Sequence, residues 1–548
     1  MAIILISFFI VYYCFHLSGQ ICIKYFDKRF PISTREFQEP FFIGFILFTV
    51  ISSYLSIFTP LSFTTFLIYI IVVSILSIIF LKRDVNFWET LSKSKFILAT
   101  VIFAIILTLT VASTGVYVGD TWLYHAQNVQ WIRKYPVVPG LAHLQPQLGQ
   151  KSQFFIISAL FTIDFKDILG LGPTLSFPIN GTVFLVTVYV IVKHFVEGLR
   201  LKNNAAIGFF GFLMTILILW FPRLVSSLSP DIICSFIIII CYSILFLKGF
   251  KLGLFHFSFL TALIFLSVTF KLSMVFLGIT LMVILIKQFS FKRVVLITII
   301  GATILLPYFI RNYFLTGYLI YPISFIDFFN PDWKIPSEKL DFEVQVIKSW
   351  ARAHTAIGDN LSITNWIPEW LTRIELIFKS ILVINLISLT LLVYYIKNKM
   401  WDYALLSSTI ILNLVFWFFN APDIRFALGF LIIGASIFFA LLTKKLPNNI
   451  FQVFENKYFK FFTLIFLIFI GSYYHRSFFT DWNGKNFILP INPPEDELKE
   501  QTTNFTYYIT RYPARCNNHE IPCTSRPPKE ELLLRGDNLK SGFKLGEN

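Results

Sequence analysis

Charged residues are scarce in this 548-residue chain, since Asp, Glu, Lys and Arg together make up 14% of it. Water-soluble domains carry about 25% charged residues and lack long apolar runs. Here hydrophobic residues reach 56%, and the mean hydropathy is +0.70. Apolar stretches of roughly 20 residues, long enough to cross about 30 Å of hydrocarbon, recur along the chain. The shortage of charge excludes a set of soluble domains and predicts an all-α polytopic membrane protein.

Nucleotide-binding motifs are also missing from the sequence. The chain has neither a G-x-x-x-x-G-K-[ST] phosphate loop nor a glycine cluster of the Rossmann type after a strand. An ATP-driven pump is therefore disfavoured. No internal repeat is visible, and the polar residues do not concentrate at mid-span, which disfavours a transporter or flippase.

About fourteen apolar runs are predicted to span the membrane. The first begins at Met1 and lacks a basic leader and a small-residue cleavage site, so we interpret it as a span and not as a signal peptide. A further run near 153–163 is too short to cross and is expected to lie along the interface or to re-enter. The predicted spans are 1–16, 41–59, 61–81, 96–115, 174–196, 205–221, 231–247, 254–270, 273–286, 294–310, 374–395, 402–420, 427–443 and 459–475.

The basic residues predict the orientation. A formal charge of +15 could indicate nucleic acid in a soluble protein, but in a membrane protein an excess of Lys and Arg in alternate loops marks the cytoplasmic side. We therefore expect no nucleic-acid partner, and both termini and loops 116–173 and 311–372 outside the cytoplasm. The basic loops contain Lys24, Lys28, Arg29, Arg35, Lys82, Arg83, Lys93, Lys95, Arg200, Lys202, Lys248, Lys251, Lys287, Lys292, Arg293, Lys397, Lys399, Lys444, Lys445, Lys457 and Lys460.

Two domains follow from this topology. Residues 1–475 are predicted to form the multi-span transmembrane domain. From 476 to 548 the composition becomes polar and Pro-rich, which predicts a small extracytoplasmic C-terminal domain.

Polar and ionisable residues gather at the predicted outer ends of the spans. A charge at bilayer depth is costly, so each such residue needs a partner or a function. A carboxylate there can take the proton from an attacking hydroxyl, and nearby cations can hold a phosphate. Convergence of six helix ends therefore predicts one site for transfer from a lipid-phosphate donor. The candidate residues are Asp120, His125, Arg223, Asp231, Lys271, Arg311, Asn312, Asp423 and Arg425.

Simpler roles are compatible with the same residues. Asp231 and Asp423 could each cap the helix that follows. The basic side chains could be interfacial anchors that extend toward headgroups, and His125 could be a hydrogen-bonded interfacial histidine. The tryptophan-rich stretch 331–371 could stack on a sugar or lie as an interfacial helix.

At these residues the chain resembles the C-type glycosyltransferases (GT-C), multi-span enzymes that use polyprenyl-phosphate-sugar donors. In that superfamily an acidic residue follows a span in the first long outer loop and serves as base or metal ligand, and Asp120 in GDTWLYH fits this position. The chain is also similar to a group of bacterial polytopic proteins. The shared blocks are GDTWLYHAQNVQWIRKYPVVPGL, SLSPDI, TFKLSMV, RNYFLTGYLIYP, APDIRFALGF and the tail CNNHEIPCTSRPPKEELLLRGDNLKSGF.

The resemblance implies a bacterial inner-membrane enzyme that moves a sugar from a polyprenyl-phosphate donor to an envelope glycan, lipid or protein acceptor at the outer face. Asp120 would be the base, with His125 beside it, and the remaining candidates would bind the phosphate or position the substrate. Many superfamily members have a paired acidic motif, whereas Thr121 follows Asp120 here. A divalent metal cofactor could act, but it lacks that pair of oxygen ligands.

Two of the six cysteines lie in the polar tail. Outside the cytoplasm Cys516 and Cys523 could form a disulfide, and the alternative is a metal site with His519, which would be one ligand short of a closed zinc site. The other cysteines are expected to be small core residues. They are Cys14, Cys22, Cys234 and Cys241.

Other functions fit the same sequence. A polysaccharide polymerase or an O-antigen-ligase type enzyme also has many spans and a large outer loop, but it would use a diphosphate-linked glycan donor. A lipid-linked glycan transporter or flippase and a non-enzymatic anchoring protein, with the tail as docking site, are further alternatives.

Overall fold

The structure is a computed structural model that describes most of the chain. It is 77% helical, which confirms the expected all-α class. Lys28, Arg29, Arg35, Lys82, Arg83 and Lys93, on which part of the predicted orientation rests, lie outside the described residues, as does 354–362 of the tryptophan-rich stretch. The described residues are 1–27, 38–81, 94–116, 118–150, 152–164, 175–353, 363–447, 457–480, 498–501, 505–509, 515–517, 519–525 and 532–546.

The helices follow the apolar runs because a backbone in hydrocarbon must satisfy its own hydrogen bonds. In chain order they are α1 (Ala2–Asp27), α2 (Gln38–Phe58), α3 (Phe63–Phe80), α4 (Lys95–Ser113), α5 (Ala126–Lys134), α6 (Gln153–Phe161), α7 (Pro178–Arg200), α8 (Asn204–Trp220), α9 (Pro230–Lys248), α10 (Leu254–Phe270), α11 (Gly278–Lys287), α12 (Phe291–Thr316), α13 (Ser337–Ala353), α14 (Ile363–Arg373), α15 (Leu376–Lys397), α16 (Trp401–Asn420), α17 (Ile424–Lys444), α18 (Lys457–Tyr474) and α19 (Arg476–Thr480). A π-helical turn (Thr121–His125) and short 3₁₀ turns connect some of them. The 3₁₀ turns are Leu141–His143, Pro146–Leu148, Phe221–Arg223, Leu272–Leu277 and Leu539–Ser541.

Within the described residues, eleven helices are long and apolar enough to cross a membrane, namely α1–α4, α7–α9, α12 and α15–α17. Three shorter apolar helical segments are α10, 272–287 (which contains α11) and α18. Together these segments occupy the fourteen predicted runs. The chain is therefore a multi-pass membrane protein.

The helices differ in how deeply they are buried. In α7 and α9, 83% of the apolar window lies inside the protein, against 11% in α3 and 22% in α12 and α15. Exposed apolar side chains on the latter group fit a lipid environment, since lipid tails are as apolar as the side chains themselves. The centre of the fold is therefore built from α7, α9 and α17, which pack against α8 and α10 in one phenylalanine-rich core.

The short run near 153–163 forms α6, in which all nine residues are buried. An interfacial helix would leave one face exposed, so α6 does not lie along the interface but packs inside the protein, against α2 and α5. As expected, α6 is too short to span the membrane.

Small β-sheets complete the fold. The strands are β1 (Ile163–Asp164), β2 (Leu175–Ser176), β3 (Leu498–Gln501), β4 (Thr506–Ile509), β5 (Cys523–Thr524), β6 (Leu532–Leu534) and β7 (Phe543–Leu545). β1 pairs with β2, β3 with β4 and β6 with β7 in antiparallel register, and β4 pairs with β5 in parallel.

The tail packs on the segment that follows α5. Phe543 is fully buried in a small apolar cluster with Trp131, and its backbone N–H donates to the carbonyl of Pro139 at 2.9 Å. Gly140 has φ +65°, and a Cβ there would lie 2.1 Å from the carbonyl oxygen of Phe543. Only glycine permits both that backbone conformation and that close approach.

Candidate functional site

Asp120 lies at the start of the π-helical turn that leads into α5. Such turns are rare and occur frequently at functional sites. The turn is fixed because the hydroxyl of Thr121 accepts the backbone N–H of Leu228 at 3.2 Å. The segment before α9 is fixed in turn by Asn180 of α7, whose side-chain amide donates to the carbonyls of Ser227 and Ser229 at 2.8 and 3.1 Å.

Asp423 and Arg425 form the second part of the site, at the start of α17. A carboxylate oxygen of Asp423 accepts the backbone N–H of Arg425 at 2.9 Å, so Asp423 does cap the helix, as one of the alternatives expected. The Arg425 guanidinium also donates to Asp423 at 3.3 and 3.4 Å and to Asp120 at 3.1 Å. Arg425 therefore binds two carboxylates, one that lies two residues earlier in the chain and one that is 305 residues away.

Two indole groups fix the turn that carries Asp423. Trp370 Nε1 donates to the carbonyl of Pro422 at 2.6 Å, and Trp417 Nε1 donates to the carbonyl of Asp423 at 2.7 Å. Both tryptophans are buried. The orientation of Asp423 therefore depends on α14 and α16 as well as on α17.

Lys271 and Asp231 form an ion pair behind this part of the site. α10 ends at Phe270 and Lys271 is extended, with φ −151° and ψ 122°, so the side chain leaves the helix. Its ammonium donates to Asp231 on the first turn of α9 and lies 3.1 Å from the ring centroid of Phe426. Lys271 is thus paired within the protein, and the Asp231 carboxylate accepts from Lys271 and from the Ser229 hydroxyl (3.4 Å).

A cleft of about 640 Å³, termed the Asp120 cleft here, lies over these residues. Besides charged side chains, three tryptophans and apolar side chains of α15 and α17 line this cleft. It is lined by Gly119, Asp120, Leu123, Trp220, Arg223, Leu224, Trp350, Ala351, Trp370, Arg373, Ile374, Glu375, Phe378, Asp423, Ile424, Arg425, Leu428 and Arg515. A cleft of this size and lining is typical of small-ligand sites.

Arg223, predicted at the end of α8, lines this cleft. Its guanidinium carbon lies 3.3 Å from the ring centroid of Trp220, and its Nη2 donates to the carboxylate of Glu375 at 3.1 Å. The hydroxyl of Tyr474 donates to the other oxygen of that carboxylate at 3.1 Å. The structure therefore brings Asp120, Arg223, Asp423 and Arg425 together in the lining of one cleft.

His125 does not line the cleft. Its side chain is 2% exposed, and its ring lies 4.3 Å from that of Tyr124 and 4.8 Å from that of Phe155. Burial lowers the pKa of His125 to about 4, although Asp120 and Asp231 raise it. His125 is therefore a neutral, packed residue in the wall behind Asp120.

Arg311 and Asn312 lie away from the cleft, on α12. The guanidinium of Arg311 donates to the carbonyl and the hydroxyl of Ser56 on α2 at 2.6 and 2.7 Å. The amide of Asn312 donates to the carbonyl of Leu319 at 3.1 Å. Both side chains are buried. They connect α12 to α2 and to the following loop, so the structure does not bring them to the other candidates.

The tail cysteines Cys516 and Cys523 form a disulfide. His519, the third ligand of the alternative metal site, has its Nδ1 3.1 Å from the carbonyl oxygen of Glu520. Across the residues described, no group of three or more His, Cys, Asp or Glu side chains could hold a metal ion. Of the remaining cysteines, Cys22 is partly buried and the others are buried.

Several cleft residues were not predicted. Arg373 and Glu375 stand between the long outer loop 311–372 and α15, and Arg515 lies in the polar tail, directly before Cys516. Charged residues are ordinary in long loops and polar tails, so the sequence does not select these three. Trp350 and Trp370, from the tryptophan-rich stretch, do line the cleft. Trp333 of that stretch instead stacks with Phe314 at 6.2 Å.

Fold and site together define a helical multi-pass membrane protein with a charged, tryptophan-lined cleft. The chain belongs to the family described as "Domain of unknown function (DUF8201)", whose model matches residues 1–432. That range contains Asp120, Asp423 and Arg425 but not Arg515. No curated protein and no solved structure matches the chain.

Proposed function

We propose that this protein is a membrane glycosyltransferase of the GT-C type, which moves a sugar from a polyprenyl-phosphate donor to an envelope glycan, lipid or protein acceptor. The observation that carries the proposal is the Asp120 cleft. In it a carboxylate held by Arg425 faces a ligand-sized space that also contains guanidinium groups and indole rings.

The chemistry needs one base and a stabilised leaving group. The acceptor hydroxyl gives its proton to the Asp120 carboxylate while its oxygen bonds to the anomeric carbon of the sugar. The bond from that carbon to the phosphate oxygen breaks, and its electron pair leaves with the polyprenyl phosphate. Asp120 is suited to this role because its side chain is 37% exposed and only its Oδ2 is engaged by Arg425, which orients it.

The cleft also suits the two ends of the donor. Guanidinium groups stabilise the charge that develops on the departing phosphate, and indole faces are suitable partners for a sugar ring. Phe378 and Leu428 extend the lining onto α15 and α17, which are membrane-length apolar helices. A prenyl chain could enter along these helices without crossing a polar surface.

The proposal includes an orientation. With the cleft at the extracytoplasmic face of a bacterial inner membrane, both termini lie outside the cytoplasm. The disulfide between Cys516 and Cys523 supports an extracytoplasmic location of the tail, because disulfides persist in oxidising compartments.

Deletion of the gene and complementation test the function. In deleted cells, wild-type protein should restore one envelope glycan component, measured by mass spectrometry of the released glycans, and Asp120→Asn should not restore it. Asp341→Asn is the matched control, since Asp341 is exposed, lies outside the cleft and accepts a hydrogen bond from the hydroxyl of Ser324, which does not line the cleft either. Full restoration by Asp120→Asn, at equal abundance in the membrane, would overturn the proposal.

A further inference from the structure

We infer that Arg515, directly before the tail loop that the disulfide closes (516–523), and Arg373 at the end of α14 bind the phosphate group of the lipid substrate. This inference rests on the proposed function and identifies the residues that recognise the anion. Of the two residues, Arg515 lies outside the range matched by the family model. The inference also differs from the sequence prediction, in which Arg223, Lys271, Arg311 and Arg425 were the basic residues expected to bind the phosphate or position the substrate.

The argument starts from the charges of the cleft. Four guanidinium groups line it, from Arg223, Arg373, Arg425 and Arg515, together with three carboxylates. Two of the four are already paired, since Arg223 binds Glu375 and Arg425 binds Asp120 and Asp423. All three carboxylates are used by these pairs.

Among the residues that the structure describes, no carboxylate pairs with the other two guanidinium groups. Arg373 donates to the backbone carbonyl of Arg352. This hydrogen bond satisfies one N–H of Arg373 but does not neutralise the charge of its guanidinium. For Arg515 no ion pair is found among the residues the structure describes. Two uncompensated guanidinium groups facing one cleft favour an anion, and guanidinium matches phosphate oxygens with two parallel N–H donors.

Arg515 is also close to the proposed base. A Cβ placed on Gly119 would lie 3.4 Å from Nη2 of Arg515, so the guanidinium stands directly over the residue before Asp120. A phosphate bound by Arg515 would therefore lie in the same cleft as Asp120, next to the residue that precedes it. That is the arrangement in which the leaving group and the base flank one sugar.

The tail loop holds Arg515 in this place. Cys516, the next residue, is fully buried and bonded to Cys523. The backbone N–H of Asn517 donates to the carbonyl of Trp122 at 2.9 Å, and the side-chain amide of Gln127 donates to the carbonyl of His519 at 2.9 Å. The loop is thus tied to the same π-helical turn and helix that position Asp120.

Binding of farnesyl phosphate to the purified full-length protein in nanodiscs tests the inference, with farnesol as the uncharged analogue. Titration can be followed by tryptophan fluorescence, because three tryptophans line the cleft, and by calorimetry. We expect farnesyl phosphate to bind more tightly than farnesol, and Arg515→Gln and Arg373→Gln each to weaken it about tenfold or more. Lys540→Gln, an exposed change in the same tail, should have no effect.

Further measurements distinguish lipid phosphate from free phosphate, and failure of this inference from failure of the proposed function. Inorganic phosphate at the same concentration should not displace farnesyl phosphate if the lipid is the source of the anion, and displacement would overturn that assignment. The Cys516→Ser/Cys523→Ser variant should weaken binding like Arg515→Gln; if it does not fold, the two arginine variants carry the test. Equal binding of farnesol, or unchanged binding by Arg515→Gln, overturns the inference. Charge-dependent binding lost in Arg515→Gln, together with glycan restored by Asp120→Asn, supports the inference while the proposed function fails.

Discussion

The guanidinium of Arg425 donates to Asp120 at 3.1 Å across a separation of 305 residues. The same group binds Asp423, two residues earlier in the chain. One side chain thereby fixes the π-helical turn before α5 to the start of α17. The proposed base depends on this relationship for its position.

Replacement of Arg425 by Gln should therefore reduce sugar transfer strongly. Displacement of a catalytic group by about 1 Å can cost about 100-fold in rate, and the loss should appear in kcat more than in KM because Asp120 would be misplaced. Arg425→Lys should recover only part of the rate, since an ammonium cannot reproduce the planar fork that holds both carboxylates. Transfer rates of the two variants measure this, and full activity of Arg425→Gln would contradict the positioning role.

Removal of one partner of the Lys271–Asp231 pair should destabilise the protein. Lys271→Met leaves a mostly buried carboxylate without its counter-charge, which typically costs about 3–5 kcal/mol of unfolding free energy. The double variant Asp231→Asn/Lys271→Met should lose much less than the two single variants combined. Unfolding in mixed micelles measures the free energies.

Lys251→Met, an exposed lysine in the loop before α10, is the control for a simple loss of charge. If the losses of unfolding free energy in the two single variants add up to the loss in the double variant, Asp231 and Lys271 do not stabilise each other.

The pH dependence of stability should reveal His125. Burial lowers its pKa from 6.5 to about 4, so between these values the unfolded chain binds a proton that the folded protein does not. Stability is then retained above pH 6.5 and falls as the pH drops toward 4, by up to about 1.4 kcal/mol per pH unit.

His125→Gln should therefore show a shallower loss of stability than the wild type between pH 6.5 and 4. Unfolding midpoints at four or five pH values across this range suffice. Parallel curves for the two proteins would mean that His125 is not a buried neutral residue.

Trp417→Phe should loosen the turn at Asp423. The variant keeps most of the apolar volume but loses the N–H that donates to the Asp423 carbonyl at 2.7 Å. That carbonyl still accepts the backbone N–H of Phe426 at 3.0 Å, so the expected cost is that of one hydrogen bond, about 0.5–1.5 kcal/mol. We expect reduced stability together with reduced transfer. Trp401→Phe, at an exposed tryptophan, should change neither; equal effects of the two variants would contradict a specific role of Trp417.

The sequence predicted the membrane helices and four of the seven charged residues that line the cleft, for different physical reasons. Long apolar runs determine helices directly, so the fourteen segments were predictable. Asp120, Arg223, Asp423 and Arg425 were identified because an ionisable residue at a span boundary is rare enough to stand out.

The remaining site residues depend on three-dimensional packing. Arg311 has the same sequence character as Arg425, but the rotation of α12 directs it to Ser56 instead of the cleft. Lys271 and Asp231 were identified separately, yet only the break after α10 shows that they neutralise each other. Arg515 lies in a polar segment where arginine is ordinary, and its role follows only from how the tail is tied to the residues after Asp120.

The most direct test of the whole account is a structure of the full-length protein with polyprenyl phosphate, the product common to all donors of this class. The account predicts that the phosphate lies in the Asp120 cleft, within hydrogen-bond distance of Arg515 or Arg373, with the prenyl chain along α15 and α17. A phosphate located elsewhere on the protein, with none in this cleft, would contradict it.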